Sequence, residues 1–200
     1  CLAFAMNLAA GKAELDQCPY VSDEAREKLA EASAPPIRPV KIGKGVRAVT
    51  VGGETVEYRH EKTFFNQPPI AGVISSDMPE EEFKNKLILW NAFQYDRVGY
   101  TLRPELVALK DANGDKDAFA AKAKYVAEST EFNLVLVSED KEVMQAGIEA
   151  SGFKRPLIYA ATKDNADDFG QLALDNGLPL AVKADSVEEL PELTDKLTEK

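Results

Sequence analysis

From Ile70 onward the sequence repeats one unit five times: a short, almost wholly apolar run followed by a helical pattern. Residues 70–74 precede a helix predicted over 79–93, 106–109 precede 118–127, and 134–137 precede 142–150. Residues 157–161 then precede 167–174, and 180–182 precede 187–197. Strands that read apolar on both faces belong to a parallel sheet covered by helices, so the chain is of the α/β class. Five such units suit either an open doubly wound sheet or part of an eight-fold barrel, and periodicity alone does not choose. The last helical pattern runs to residue 200 with no closing element, which favours an interrupted barrel.

Upstream the rhythm differs. A helix is expected over 2–10, ending at Gly11. A second begins after Tyr20, capped by Ser22 or Asp23, with Ala25, Leu29 and Ala32 on one face. Pro35, Pro36 and Pro39 cannot continue a helix and favour an extended connection, so a domain boundary is placed there. Two β-rich runs follow, 46–51 and 55–58. The Gly52-Gly53 pair between them supplies the positive φ angles of a tight hairpin turn.

Charge and composition exclude several classes. The 200 residues carry a formal charge of −10, which argues against a nucleic-acid partner, because phosphate backbones are bound by clustered Lys and Arg. No apolar run approaches the roughly 20 residues that span a bilayer, so no membrane partner is expected. Nor is there a basic, then apolar, then small-residue leader, and the cytoplasm is the default compartment. In that compartment the two cysteines, Cys1 and Cys18, read as thiols or metal ligands rather than a disulfide.

Residue by residue, the chemistry is sparse. Cys1 and Cys18 lack Cys-x-x-Cys spacing, and they are two where zinc or an iron–sulfur cluster takes about four ligands. Either they are ordinary thiols or further ligands precede Cys1; the proline after Cys18 recurs at cluster ligands. His60 lies among charged neighbours and reads as structural or surface. In Asp77-Met78-Pro79-Glu80, Asp77 reads as the cap of the next helix rather than a functional carboxylate.

Asp111-Ala112-Asn113-Gly114-Asp115 begins like a calcium loop, then fails, because Lys116 and Lys122 stand where an EF-hand needs glycine and a bidentate acid. It reads as a strand-to-helix turn with Asp115 or Asp117 as cap. Gly43-Lys44-Gly45 does not extend into a phosphate-binding loop, and no Ser/His/Asp triad can be assembled. Asp77, Ser138, Thr162 and Lys183 are the polar groups expected at strand C-terminal ends. A stand-alone barrel enzyme or binding module for a pterin or phosphorylated small molecule would have to use them.

Three stretches carry a resemblance. CLAFAMNLAAGKAELDQCPYVSDEAREKLAEASAPPIRPVKIG, YRHEKTFFNQPPIAGVISSD and RPLIYAAT closely resemble the large (gamma) subunits of corrinoid iron–sulfur proteins. These belong to the acetyl-CoA decarbonylase/synthase system of the Wood–Ljungdahl pathway, and the likeness runs in order along essentially the whole chain. In that family a small N-terminal domain binds a [4Fe-4S] cluster through four cysteines, the last two separated by sixteen residues. Cys1 and Cys18 match the third and fourth of these ligands.

The resemblance implies residues 1–34 as part of the cluster domain and 35–45 as a proline-rich linker. Residues 46–68 would be a hairpin leading into the barrel, and 69–200 the first five βα units of a TIM barrel. The remaining barrel units and a cobalamin domain would lie outside the chain, so it holds no corrinoid contacts and, taken alone, would be inactive. It further implies a methyl carrier, a component of a corrinoid-dependent methyltransferase system in an anaerobic cytoplasm. Cobalamin would pass a methyl group from a methylated tetrahydropterin to acetyl-CoA synthase, with the cluster reductively reactivating the cobalt. Implied partners are the small (delta) subunit, a pterin-dependent methyltransferase and acetyl-CoA synthase.

Overall fold

A computed structural model describes residues 38–53 and 66–198, with Phe4 and Ser22 in isolation. The chain divides into two compact units, residues 1–39 with 52–65 and residues 40–51 with 66–200. The helices expected over 2–10 and from Ser22, and the strand expected over 55–58, lie outside the described residues.

The second unit contains all five predicted strand–helix pairs. The strands are β3 (Ile70–Ser75), β6 (Pro104–Lys110), β7 (Asn133–Val137), β8 (Leu157–Ala161) and β9 (Leu180–Val182). The helices are α1 (Glu80–Ala92), α2 (Lys116–Ser129), α3 (Lys141–Ser151), α4 (Ala166–Asn176) and α5 (Glu189–Thr198). The strands form one parallel sheet in the order β3-β6-β7-β8-β9, which is their order in the sequence.

That order bears on the choice left by periodicity. A doubly wound sheet reverses its strand order at a switch point and places helices on both faces. Here there is no reversal, and side chains from all five helices pack into one apolar cluster on one face. Phe83, Phe119, Met144 and Phe169 are each at most 1% exposed in it, joined by Leu197 from α5. The arrangement is consistent with part of a TIM-barrel-like fold.

Capping accounts for two of the helix starts. The Asp115 carboxylate accepts from the amides of Asp117 and Ala118 at 3.1 and 3.0 Å, as the turn reading of 111–115 requires. Asp140 does the same for α3 through Glu142 and Val143. Gly147 of α3 lets that helix lie against α2, since a Cβ there would come within 2.5 Å of the Phe119 ring.

The other face of the sheet is covered at its base by a ribbon, β1 (Val40–Ile42) paired antiparallel with β2 (Val49–Val51). Ile42 joins Leu106, Ala108 and Val135 in a second apolar cluster. β2 pairs with β1, which forms within the segment expected as a linker, through a turn at 43–48; Gly52 and Gly53 take the expected positive φ (82° and 80°), and the strand expected after them lies outside the described residues. The reason is local. Gly43 and Gly45 both take positive φ (80° and 82°) and turn the chain before Val49, while Val46, 76% exposed, belongs to the turn.

Arg47 pins this turn to the base. It is 5% exposed, with its guanidinium 4.5 Å from the centre of the Phe132 ring. It donates to the Pro104 carbonyl at 3.0 Å and to Asn91 Oδ1 at 2.7 Å, and lies 3.6 Å from the Glu131 carboxylate. Lys44 N donates to Asn133 Oδ1 at 2.9 Å, and Gly43 N to the Arg155 carbonyl at 2.9 Å.

One element has no counterpart in the sequence reading. Between α1 and β6 the chain forms an isolated ribbon, β4 (Tyr95–Arg97) and β5 (Tyr100–Leu102), turning through Val98-Gly99.

Candidate functional site

Because the five strands are parallel and adjacent, their C-terminal ends open onto one rim, where barrel enzymes carry their chemistry. Cross-strand register places Ser75, Lys110, Val137 and Tyr159 in a single row at that end. Each lies two residues beyond Val73, Ala108, Val135 and Leu157 respectively, so the row is on the sheet face opposite the helices. Lys110 is exposed, and Tyr159 is 41% exposed.

The rim loops tie these positions together. Ser75 Oγ donates to Asp77 Oδ1 at 2.5 Å. Ser138, 5% exposed, donates to Asp111 Oδ2 at 3.0 Å and accepts from Asp140 N at 3.1 Å. The other oxygen of Asp111 accepts from Gly114 N at 2.9 Å. Ser76 Oγ accepts from Ala112 N at 3.1 Å. Lys122 reaches across from α2 to the carbonyls of Ser76 (2.6 Å) and Met78.

Partial burial pulls the Lys122 ammonium below the usual lysine range, against the opposing fields of Asp77 and Glu80. The hydrogen bond from Lys84, with its charge, holds Glu80 below the usual carboxylate value.

Two open clefts flank the rim. One of about 530 Å³ lies among Asp77, Glu80, Lys84, Asn113, Asp115 and Lys122. The other, about 1090 Å³, is bordered by Thr162, Lys163, Lys183, Asp185, Glu189 and Glu192. Both are mixed in charge. In the first, Lys122 is engaged by the Ser76 and Met78 carbonyls and Asp115 by the amides that start α2.

The sequence-derived positions fall as follows. Asp77 is not a cap: Pro79 occupies that position with no side-chain hydrogen bond to the helix, and the Asp77 carboxylate turns to Ser75 instead. The helix starts at Glu80, later than the capping sequence implies, and the Asp77 carboxylate is left to the Ser75 hydroxyl. Asp77, Ser138, Thr162 and Lys183 do lie at strand C-terminal ends as expected. Among the described residues, only the Ser138 side chain of these four is hydrogen-bonded to another strand's loop, through Asp111. Thr162 N donates to Asn165 Oδ1 at 2.6 Å, and Lys183 N to the Ala161 carbonyl at 2.8 Å.

Lys110 and Asp111 were missed as rim residues; their place directly after an apolar run was the available signal. Cys1, Cys18 and His60 lie outside the described residues. Among the described residues no group of three or more His, Cys, Asp or Glu could hold a metal ion. No helix of the described residues is long and apolar enough to cross a membrane.

Comparison with known proteins gives these features a context. The chain is 45% identical over 197 residues to the corrinoid/iron-sulfur protein large subunit of Moorella thermoacetica, covering 98% of this chain and 44% of that protein. It is 39% identical over 194 residues to the acetyl-CoA decarbonylase/synthase complex subunit gamma of Methanopyrus kandleri, covering 96% of this chain and 42% of the relative. The corresponding subunit of Methanothermobacter thermautotrophicus is 32% identical over 198 residues, covering 98% and 43%. The chain thus spans less than half the length of these relatives, all named as gamma or large subunits. Residues 39–200, which include the whole described sheet, match the family described as CO dehydrogenase/acetyl-CoA synthase delta subunit, and the chain belongs to that family.

Proposed function

We propose that this chain corresponds to the cluster-side and barrel segment of a corrinoid iron–sulfur protein large subunit, a methyl carrier of the acetyl-CoA decarbonylase/synthase system. The observation that carries the reading is the likeness to named large and gamma subunits over 92% to 98% of the chain. On this reading Cys1 and Cys18 are the third and fourth ligands of a [4Fe-4S] cluster, and residues 1–34 belong to its domain. Residues 69–200 are the first five βα units of a TIM barrel. The described residues include neither cysteine nor histidine, so on this reading the cluster thiolates come from outside them.

When bound, the corrinoid supplies the metal that carries the methyl group, and the cluster supplies low-potential electrons. The barrel residues act as a scaffold. The inner strand face is apolar at its base, and the rim carboxylates and hydroxyls hold loops rather than a substrate. The partners on this reading are the small (delta) subunit, a methyltransferase acting on a methylated tetrahydropterin, and acetyl-CoA synthase.

The test uses the full-length protein. Purified anaerobically, it should show a corrinoid absorption spectrum and take up labelled methyl from a methylated tetrahydropterin when its methyltransferase is supplied. Absence of corrinoid would overturn the reading. Barrel substitutions at Asp77 or Lys183 should leave methyl uptake within about twofold of the parent, whereas a catalytic barrel would lose far more.

A further inference from the structure

The β4–β5 ribbon is placed like an insertion, after α1 and before β6, and among the described residues it pairs only with itself. An isolated two-stranded ribbon is marginal in water and gains stability from packing on something else. Every residue from Phe93 to Thr101 is exposed. Register puts Tyr95 opposite Leu102 and Arg97 opposite Tyr100, so two tyrosines and an arginine share one face. The opposite face carries Asp96, which is held by Thr101 Oγ1 at 2.7 Å.

The turn adds an independent observation. Val98 adopts φ +49° and Gly99 φ +81°, the pair of positive angles of a two-residue hairpin turn. Asn or Gly is at ease at the first position, whereas a β-branched residue there is strained. Val98 is nevertheless 90% exposed. Strain retained for an exposed apolar side chain at a tip points to a role for that side chain in recognition.

We infer that the β4–β5 ribbon is a docking surface for another protein subunit. It would insert Val98 and the Tyr95/Tyr100 pair into an apolar pocket rimmed by carboxylates. Tyrosine and arginine are the residues that dominate interface energetics. The charge of the partner follows from Arg97 and Arg103. Neither makes an ion pair among the described residues, and the one acid of the ribbon is already engaged. A second copy of this chain is disfavoured by its own formal charge of −10. The inference rests on the reading that the chain is a subunit of a larger complex.

The test is hydrogen exchange over residues 93–102 in the full-length protein, alone and within its native multisubunit complex. Protection that appears only in the complex supports the inference. Two variants sharpen it. Val98→Asn relaxes the turn, so the ribbon should stay folded while association weakens about tenfold. Arg97→Glu should weaken association by a similar factor and remove part of its salt dependence. Protection in the full-length chain alone, independent of concentration, would assign the ribbon to the chain's own later segments and overturn the inference. Concentration-dependent protection would assign it to self-association, and no protection in either state would likewise overturn it. Corrinoid content, measured in the same samples, separates failure of this inference from failure of the functional reading.

Discussion

Asn133 fills the space where residue 43 would carry a side chain: a Cβ on Gly43 would lie 2.0 Å from Asn133 Cγ. This contact, with the Lys44 amide bonded to Asn133 Oδ1, seats the β1–β2 turn on the base of β7. Gly43→Ala therefore meets both a clash and a positive φ and should destabilise the parallel-sheet unit by about 3 kcal/mol or more. Gly45 has the same φ with open space around it, so Gly45→Ala should cost only about 1 kcal/mol. Urea unfolding of the two variants should separate them clearly; equal midpoints would refute the seat.

Arg47 should tolerate no simple replacement. Its fork serves the Pro104 carbonyl and Asn91 while its plane stacks on Phe132. Arg47→Met leaves those acceptors unpaired and should cost about 2–4 kcal/mol. Arg47→Lys keeps the charge but neither the fork nor the stack, so it should recover less than half of the loss, as read by thermal unfolding.

Lys122 should leave a mark on alkaline stability. Its folded pKa is depressed below that of an ordinary lysine, chiefly by burial, so between the two values the unfolded chain binds a proton that the folded chain has released. Stability then rises with pH across that window, because below it the fold carries the cost of a partly buried ammonium. Comparing urea midpoints from about pH 8 to 10.5, the parent should gain on Lys122→Met as pH rises. At neutral pH the variant should be about 1–2 kcal/mol less stable, because the Ser76 and Met78 carbonyls lose their donor.

The sheet was legible because burial on both faces leaves a long apolar signature. Leu157–Ala161 and Leu180–Val182 form over the residues that pattern marks. What was not legible turned on competition between local signals. The prolines up to Pro39 masked β1, whose three residues are too short for a periodic signal and depend on the contact of Ile42 with Leu106 and Val135. Gly43 and Gly45 carried less weight than Gly52-Gly53 as a turn signal, because the contact that seats Gly43 on Asn133 joins positions 90 residues apart. Asp77 spelled a cap, and a hydroxyl two residues earlier took its carboxylate. Tyr95–Leu102 alternates over too few positions to stand out from a loop, and its turn uses valine where asparagine would have announced it.

The central claim is that Cys18 and Cys1 are thiolate ligands of a [4Fe-4S] cluster in a corrinoid carrier, and anaerobic iron and acid-labile sulfide analysis of the full-length protein tests it most directly. The parent should carry a cluster with an EPR signal on reduction. Cys18→Ala should lose most of that iron and signal while retaining its corrinoid spectrum. Unchanged iron and an unchanged signal in Cys18→Ala would contradict the account.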